Sequence, residues 1–136
     1  MIENAGYQEI EHTADWELRV WGSDFISLLE TAAKGMYALS HTKLAASPRI
    51  VCNFEIPFVD RESMLVDFLS ELLFLGEDEG IAFDSYKLRL CANSLNVQAN
   101  GASMIEQAKE IKAVTYHGMQ IRETEHGLEV NIIFDV

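Results

Sequence analysis

The residues able to do chemistry in this sequence of 136 fall in a few short stretches. His12-Thr13-Ala14-Asp15 lies in a polar stretch between two short apolar runs. It reads as a turn in which Thr13 and Asp15 bond to local backbone. It reads equally as chemistry, with Asp15 a hard oxygen ligand or His12 and Asp15 a proton-handling pair. Lys112-Ala113-Val114-Thr115-Tyr116-His117 alternates, placing Lys112, Val114 and Tyr116 on one face and Ala113, Thr115 and His117 on the other. This is either a half-buried strand with a solvated side or a strand that projects Lys112 or His117 into a cleft. Phe134-Asp135-Val136 closes the sequence and sets the Asp135 carboxylate beside the α-carboxylate of Val136. A terminus of this kind often frays, but Val130, Ile132 and Phe134 alternate up to it, which predicts that it is anchored in a sheet. Glu77-Asp78-Glu79-Gly80 lacks the repeated spacing of an EF-hand and reads as a solvated acidic turn.

Other chemistries are excluded by what is missing. There is no phosphate loop, no GxGxxG, no GxSxG and no HExxH. His12, His41, His117 and His126 are scattered, without zinc-ligand spacing to a cysteine. Nothing here composes a self-sufficient enzyme. The 10 Lys and Arg against 22 Asp and Glu give a net charge of −12. So acidic a surface repels phosphate backbones, so no direct nucleic-acid binding is expected, and cations and basic protein surfaces are the natural partners. Cys52 and Cys91 sit in alternating apolar runs, with no CxxC, and read as buried thiols of a reducing compartment. The N-terminus has neither the basic region nor the apolar core of a signal peptide, and no apolar stretch is long enough to span a bilayer. The expectation is a cytoplasmic protein that does not enter a membrane.

The elements that must position these stretches alternate between two periods. Tyr7 to Glu11 and Glu17 to Trp21 read as short strands. Ser23 offers an N-cap to a helix whose stripe is Phe25, Leu28, Leu29, Ala32, Ala33, Met36 and Leu39, ending near Ser40. Arg49 to Val59 alternates strictly, and Pro57 places its end at an edge or terminus. Asp60 caps a second helix bearing Leu65, Phe68, Leu69, Leu72 and Leu73, with Gly76 as its stop. Tyr86 to Ala92 and Leu95 to Ala99 follow as strands turned at Asn93-Ser94, and Asn100-Gly101 opens a loop. Ile111 to Tyr116, Met119 to Glu123 and Leu128 to Val136 are the last strands. The sum is a single α+β domain over residues 1–136, with a mostly antiparallel or mixed sheet of about eight strands and two amphipathic helices laid on it.

Taken in order, these segments resemble the archease family over nearly the whole chain. The matching pieces are Glu11-His12-Thr13-Ala14-Asp15, then Arg19 and Gly22 ahead of the first helix. In the second helix the match is Phe68-Leu69-x-Glu71-Leu72-Leu73, and after it Glu79-Gly80-x-x-Phe83. Lys112-Ala113-Val114-Thr115-Tyr116-His117 and the terminal Phe134-Asp135-Val136 complete it. Two places depart from the family pattern. Trp16 stands where an aliphatic residue is usual, and Ser103 to Lys109 lacks the usual Asp-x-x-Lys-His.

The resemblance implies a specific role. Archeases are small cytoplasmic cofactor proteins of RtcB-type RNA ligases, which join RNA ends in tRNA splicing and RNA repair. They promote guanylylation of the ligase histidine and multiple turnover. The family binds a divalent cation, typically calcium with magnesium or manganese as alternatives, through residues that correspond here to Asp15, Asp135 and Val136. His12, Lys112 and His117 are then candidates for contact with the partner. If the three carboxylates converge, each like-charge pair at about 4 Å repels by roughly 4 kcal/mol at an effective dielectric of about 20, which favours a cation between them. The alternative role is a chaperone-like binding module for tRNA-modifying enzymes such as a tRNA methyltransferase.

Overall fold

The computed structural model describes residues 4–10 and 15–136. Strand β1 (Gly6–Ile10) pairs antiparallel with β2 (Trp16–Gly22), whose Leu18 and Val20 are buried as their spacing requires. Helix α1 (Phe25–Leu39) follows. Its cap is Asp24, whose carboxylate accepts from the Ser27 N–H at 2.8 Å, and not Ser23. A carboxylate at that position satisfies a free amide and also faces the positive end of the helix dipole. The apolar stripe lands as expected, with Leu28, Leu29, Ala32, Ala33, Met36 and Leu39 buried and Ser40 at the C-cap.

Two-residue β3 (Lys43–Leu44) leads to β4 (Ile50–Pro57), whose even-numbered residues face inward. Helix α2 (Arg61–Glu79) is capped by Asp60, which accepts from the Ser63 N–H at 2.7 Å. It runs past Gly76 and ends at Gly80, whose φ of 67° is the left-handed turn that glycine adopts without steric cost. Glu77, Asp78 and Glu79 are therefore the last turn of a helix rather than a loop. All three stay exposed.

Strand β5 (Ile81–Cys91) turns at Ala92-Asn93 into β6 (Ser94–Glu106). This second strand does not open into a loop at Asn100-Gly101 but continues through it. A Cβ on Gly101 would lie 1.9 Å from the Ala82 carbonyl oxygen, so the glycine lets β5 bulge between Phe83 and Ser85 directly against β6. Strands β7 (Ala113–Thr115), β8 (Arg122–Thr124) and β9 (Gly127–Asp135) close the chain. Cys52 is half-buried in β4 and Cys91 is exposed at the end of β5, so neither thiol is fully buried, contrary to the alternation of their strands.

The class is α+β, but the strands form two sheets instead of one. In the first, β9 lies between β2 on one edge and β7 and β8, end to end, on the other. In the second, β4 and β5 flank β6, and β3 pairs with its last residues. Every pairing is antiparallel. Helix α1 packs on β1 and β2, and α2 on β4, β5 and β7. Phe68 and Phe134 are the largest fully buried side chains of the core, and Phe68 meets Tyr86 edge-on with ring centroids 5.8 Å apart. Among the described residues no helix is long and apolar enough to cross a membrane.

Candidate functional site

Strand β9 organises the site because it is held on both edges up to its last residue. Phe134 is fully buried, pairs with Trp16 of β2 on one side and Val114 of β7 on the other, and leaves no slack. Alternation then turns Asp135 to the opposite, exposed face. Its Cα partner is Ala113, and its carbonyl accepts from the Lys112 N–H at 2.8 Å. Val136 is half-buried and packs against the core. The terminus is anchored, as the spacing of Val130, Ile132 and Phe134 predicts.

The same register brings Asp15 to this end. Trp16 sits across from Phe134, so the residue before it enters β2 beside Asp135. Asp15, Asp135, Val136 and Lys112 thus gather at one end of the first sheet. His117 does not join them. Running antiparallel to β9, β7 leads away from Asp135, and the alternating strand gives out after Thr115. Tyr116 to Met119 form a turn in which the His117 N–H donates to Thr115 Oγ1 at 3.3 Å. His12 lies outside the described residues.

Asp15 and Asp135 are both exposed. Water screens their repulsion toward about 1 kcal/mol at 4 Å, well under the value for a half-buried pair, so the gathering of charge does not by itself demand a counter-ion. Among the described residues no group of three or more His, Cys, Asp or Glu side chains lies close enough to hold a metal. Two aspartates with a backbone carboxylate as third donor remain an all-oxygen set, which fits calcium, magnesium or manganese and not zinc.

Sequence reasoning missed the neighbours of this end. The segment after β6 is pinned to the C-cap of α1, where the Ser40 carbonyl accepts from the Ala108 and Lys109 N–H groups at 3.1 and 3.3 Å. That sets the Lys109 ammonium over the Trp16 ring. Further along the exposed face, Glu129 accepts from Arg19 at 2.8 Å and from Arg122 at 3.0 Å. The Arg19 hydrogen bond, with Arg122 adding to it, holds the Glu129 carboxyl below the usual carboxylate range. Asn131 donates to Glu17 at 2.6 Å on the same face. Residues this far apart in sequence meet only through the strand register, which no short motif records.

A family model described as the Archease protein family (MTH1598/TM1083) matches residues 7–136, so the chain belongs to the archease family. It is 33% identical to protein archease of Methanothermobacter thermautotrophicus over 141 aligned positions, covering 96% of this chain and 99% of that one. Protein archease of Thermococcus kodakarensis is 30% identical, covering 89% and 91% of the two chains. The fold is similar to the solution structure of Methanobacterium thermoautotrophicum protein 1598, with a TM-score of 0.73, 26% identity and 96% and 99% of the chains covered. The crystal structure of an archease from Thermotoga maritima shares the fold at a TM-score of 0.70, with 23% identity and 95% and 96% covered.

Proposed function

We propose that this chain is a non-enzymatic accessory protein that promotes guanylylation and multiple turnover of an RtcB-type RNA ligase in tRNA splicing and RNA repair. The observation that supports the reading is the register of β2 on β9, which sets Asp15 and Asp135 at the same end of the first sheet. There the carboxylates of Asp15, Asp135 and Val136 hold a divalent cation, most naturally calcium. A bound ion supplies charge neutralisation and open coordination positions for a partner's oxygen ligands. Phe134 and the side chain of Val136 fix the backbone at the end of β9 to the core, which lowers the cost of ordering the tip. Lys112, exposed and hydrogen-bonded through its backbone to Asp135, and His12, which precedes Asp15 in the same motif, would contact the ligase or its nucleotide. His117, in the turn after β7, would meet the partner away from the carboxylates. A net charge of −12 suits a basic protein surface and not bare RNA.

A second reading is a chaperone-like module for tRNA-modifying enzymes such as a tRNA methyltransferase. It is favoured by the Thermotoga maritima archease, which is described as a possible chaperone, and by Phe58 and Val59, exposed at the turn between β4 and α2. Guanylylation of the cognate ligase with and without this protein separates the two. Sub-stoichiometric protein should raise ligase turnover, because a helper that acts and leaves need not match its client in number. No stimulation at any ratio, with protection of the methyltransferase from aggregation, would favour the second reading.

A further inference from the structure

A cavity of about 220 Å³ lies between α1, α2 and the stretch from the end of β6 to Ile111. Leu73, Met104 and Ile111 give it apolar walls, and the Tyr37 ring is part of the lining. The Tyr37 hydroxyl is buried near the Phe83 carbonyl and the Tyr86 hydroxyl without a hydrogen-bond partner. Two carboxylates enter the lining from separate elements, Glu77 from the last turn of α2 and Glu110 from the segment after β6. Both are exposed, and neither takes part in an ion pair among the described residues.

Gly76 shapes this space. Inside a helix of 19 residues glycine is an unfavourable choice. Packing does not require it, since a Cβ there would rest 3.4 Å from Met104 Cε, an ordinary contact. What a methyl group would take is cavity volume.

The chemistry of the walls selects the occupant. Apolar walls bury methylene groups, and carboxylates on two elements call for two cationic heads. We propose that this cavity binds a short aliphatic diamine, its chain on Leu73, Met104 and Ile111 and its ammonium groups at Glu77 and Glu110. A single-headed lysine side chain reaching in from a partner fits less well, because its ammonium would arrive deepest, among the apolar walls. This inference does not rest on the ligase reading and is tested on the protein alone.

The probe is putrescine, titrated at constant ionic strength while the methyl NMR signals of Leu73, Met104 and Ile111 are followed. Saturable shifts are expected, with n-butylamine binding about tenfold more weakly for want of the second charged contact. Glu77→Gln and Glu110→Gln should each weaken putrescine several-fold. Gly76→Ala should weaken it as well while melting at or above the wild-type temperature, which separates lost volume from lost folding. Three results would overturn the proposal: no saturable shift, butylamine binding as tightly as putrescine, or unchanged affinity in the doubly substituted Gln variant.

Discussion

Lys109 Nζ stands 5.8 Å from the centroid of the Trp16 ring. The two residues lie in segments 93 positions apart in the sequence, and they meet at the entry to β2. Trp16 pairs with Phe134, so the ammonium of Lys109 is held over the strand that delivers Asp15 to the tip. The contact ties the segment after β6 to the first residue of β2.

Lys109→Ala should lower stability by about 0.5–1 kcal/mol, the range of an exposed cation–π contact, and Lys109→Arg should keep most of it. Urea denaturation of Lys109→Ala, Trp16→Leu and the double variant gives the coupling directly. Additive losses would mean that the ring and the ammonium merely sit side by side.

Calcium should raise the melting temperature of the wild-type protein, because a ligand that binds only the folded state stabilises it by mass action. Asp15→Asn and Asp135→Asn should remove most of that response. Since both carboxylates are exposed, neither variant should lose stability in chelator. A wild-type melting curve indifferent to calcium, magnesium and manganese would remove the ion from the proposal.

Residues appended after Val136 should leave folding intact, because Val130, Ile132 and Phe134 still pack. They convert the α-carboxylate to a neutral amide and put bulk at the end of β9. Calcium binding and ligase stimulation should fall together, while the same extension before Met1 does no harm. Equal stimulation from both tagged forms would strike Val136 from the ligand set.

Acid should expose the contribution of Glu129. Its carboxyl is held below the ordinary range by Arg19 first and Arg122 second, so the folded state binds the proton less readily than the unfolded chain does. The stability this gives is present above the ordinary carboxylate value, about pH 4, and is lost as pH falls through the depressed folded value. Glu129→Gln should therefore flatten the acid limb of the stability curve and change its neutral region less. A wild-type-shaped acid limb in that variant would assign the dependence to other carboxylates.

Elements set by local chemistry were legible in the sequence. Both helices follow from their apolar stripes, Asp60 is the cap expected of it, and the alternation before Val136 predicts the anchored end. The misreadings arose where a distant neighbour decides the matter. Gly101 resembles a loop residue until Ala82 is seen pressed against it. Gly76 resembles a stop because nothing nearby in sequence says that Gly80 will take the left-handed turn. Ser23 and Asp24 are both good caps, and the start of the helix chooses between them. Two sheets replace one because β6 spends both of its edges on β4 and β5, leaving none for the strands around β9. Motif reading put Asp15 and Asp135 on one list, and the register of β2 on β9 sets both at the same end of the first sheet. His117 shows the converse, since six residues of motif do not guarantee six residues of strand.

The central position of β9 also governs the order in which the molecule comes into being. Arg19 and Glu129, joined across β2 and β9, are 110 residues apart. At the usual pace of synthesis, about 5–20 residues per second, β2 waits roughly 5–20 s on the ribosome for the strand that completes it. Helix α1, next in the sequence, packs on β2, in which Leu18 and Val20 are buried. The inner edge of β2 has no such cover. A chain that lacks β9 keeps that edge of β2 open from Trp16 to Gly22. Truncation before Gly127 should therefore leave on β2 an open strand edge of the kind that pairs with other chains.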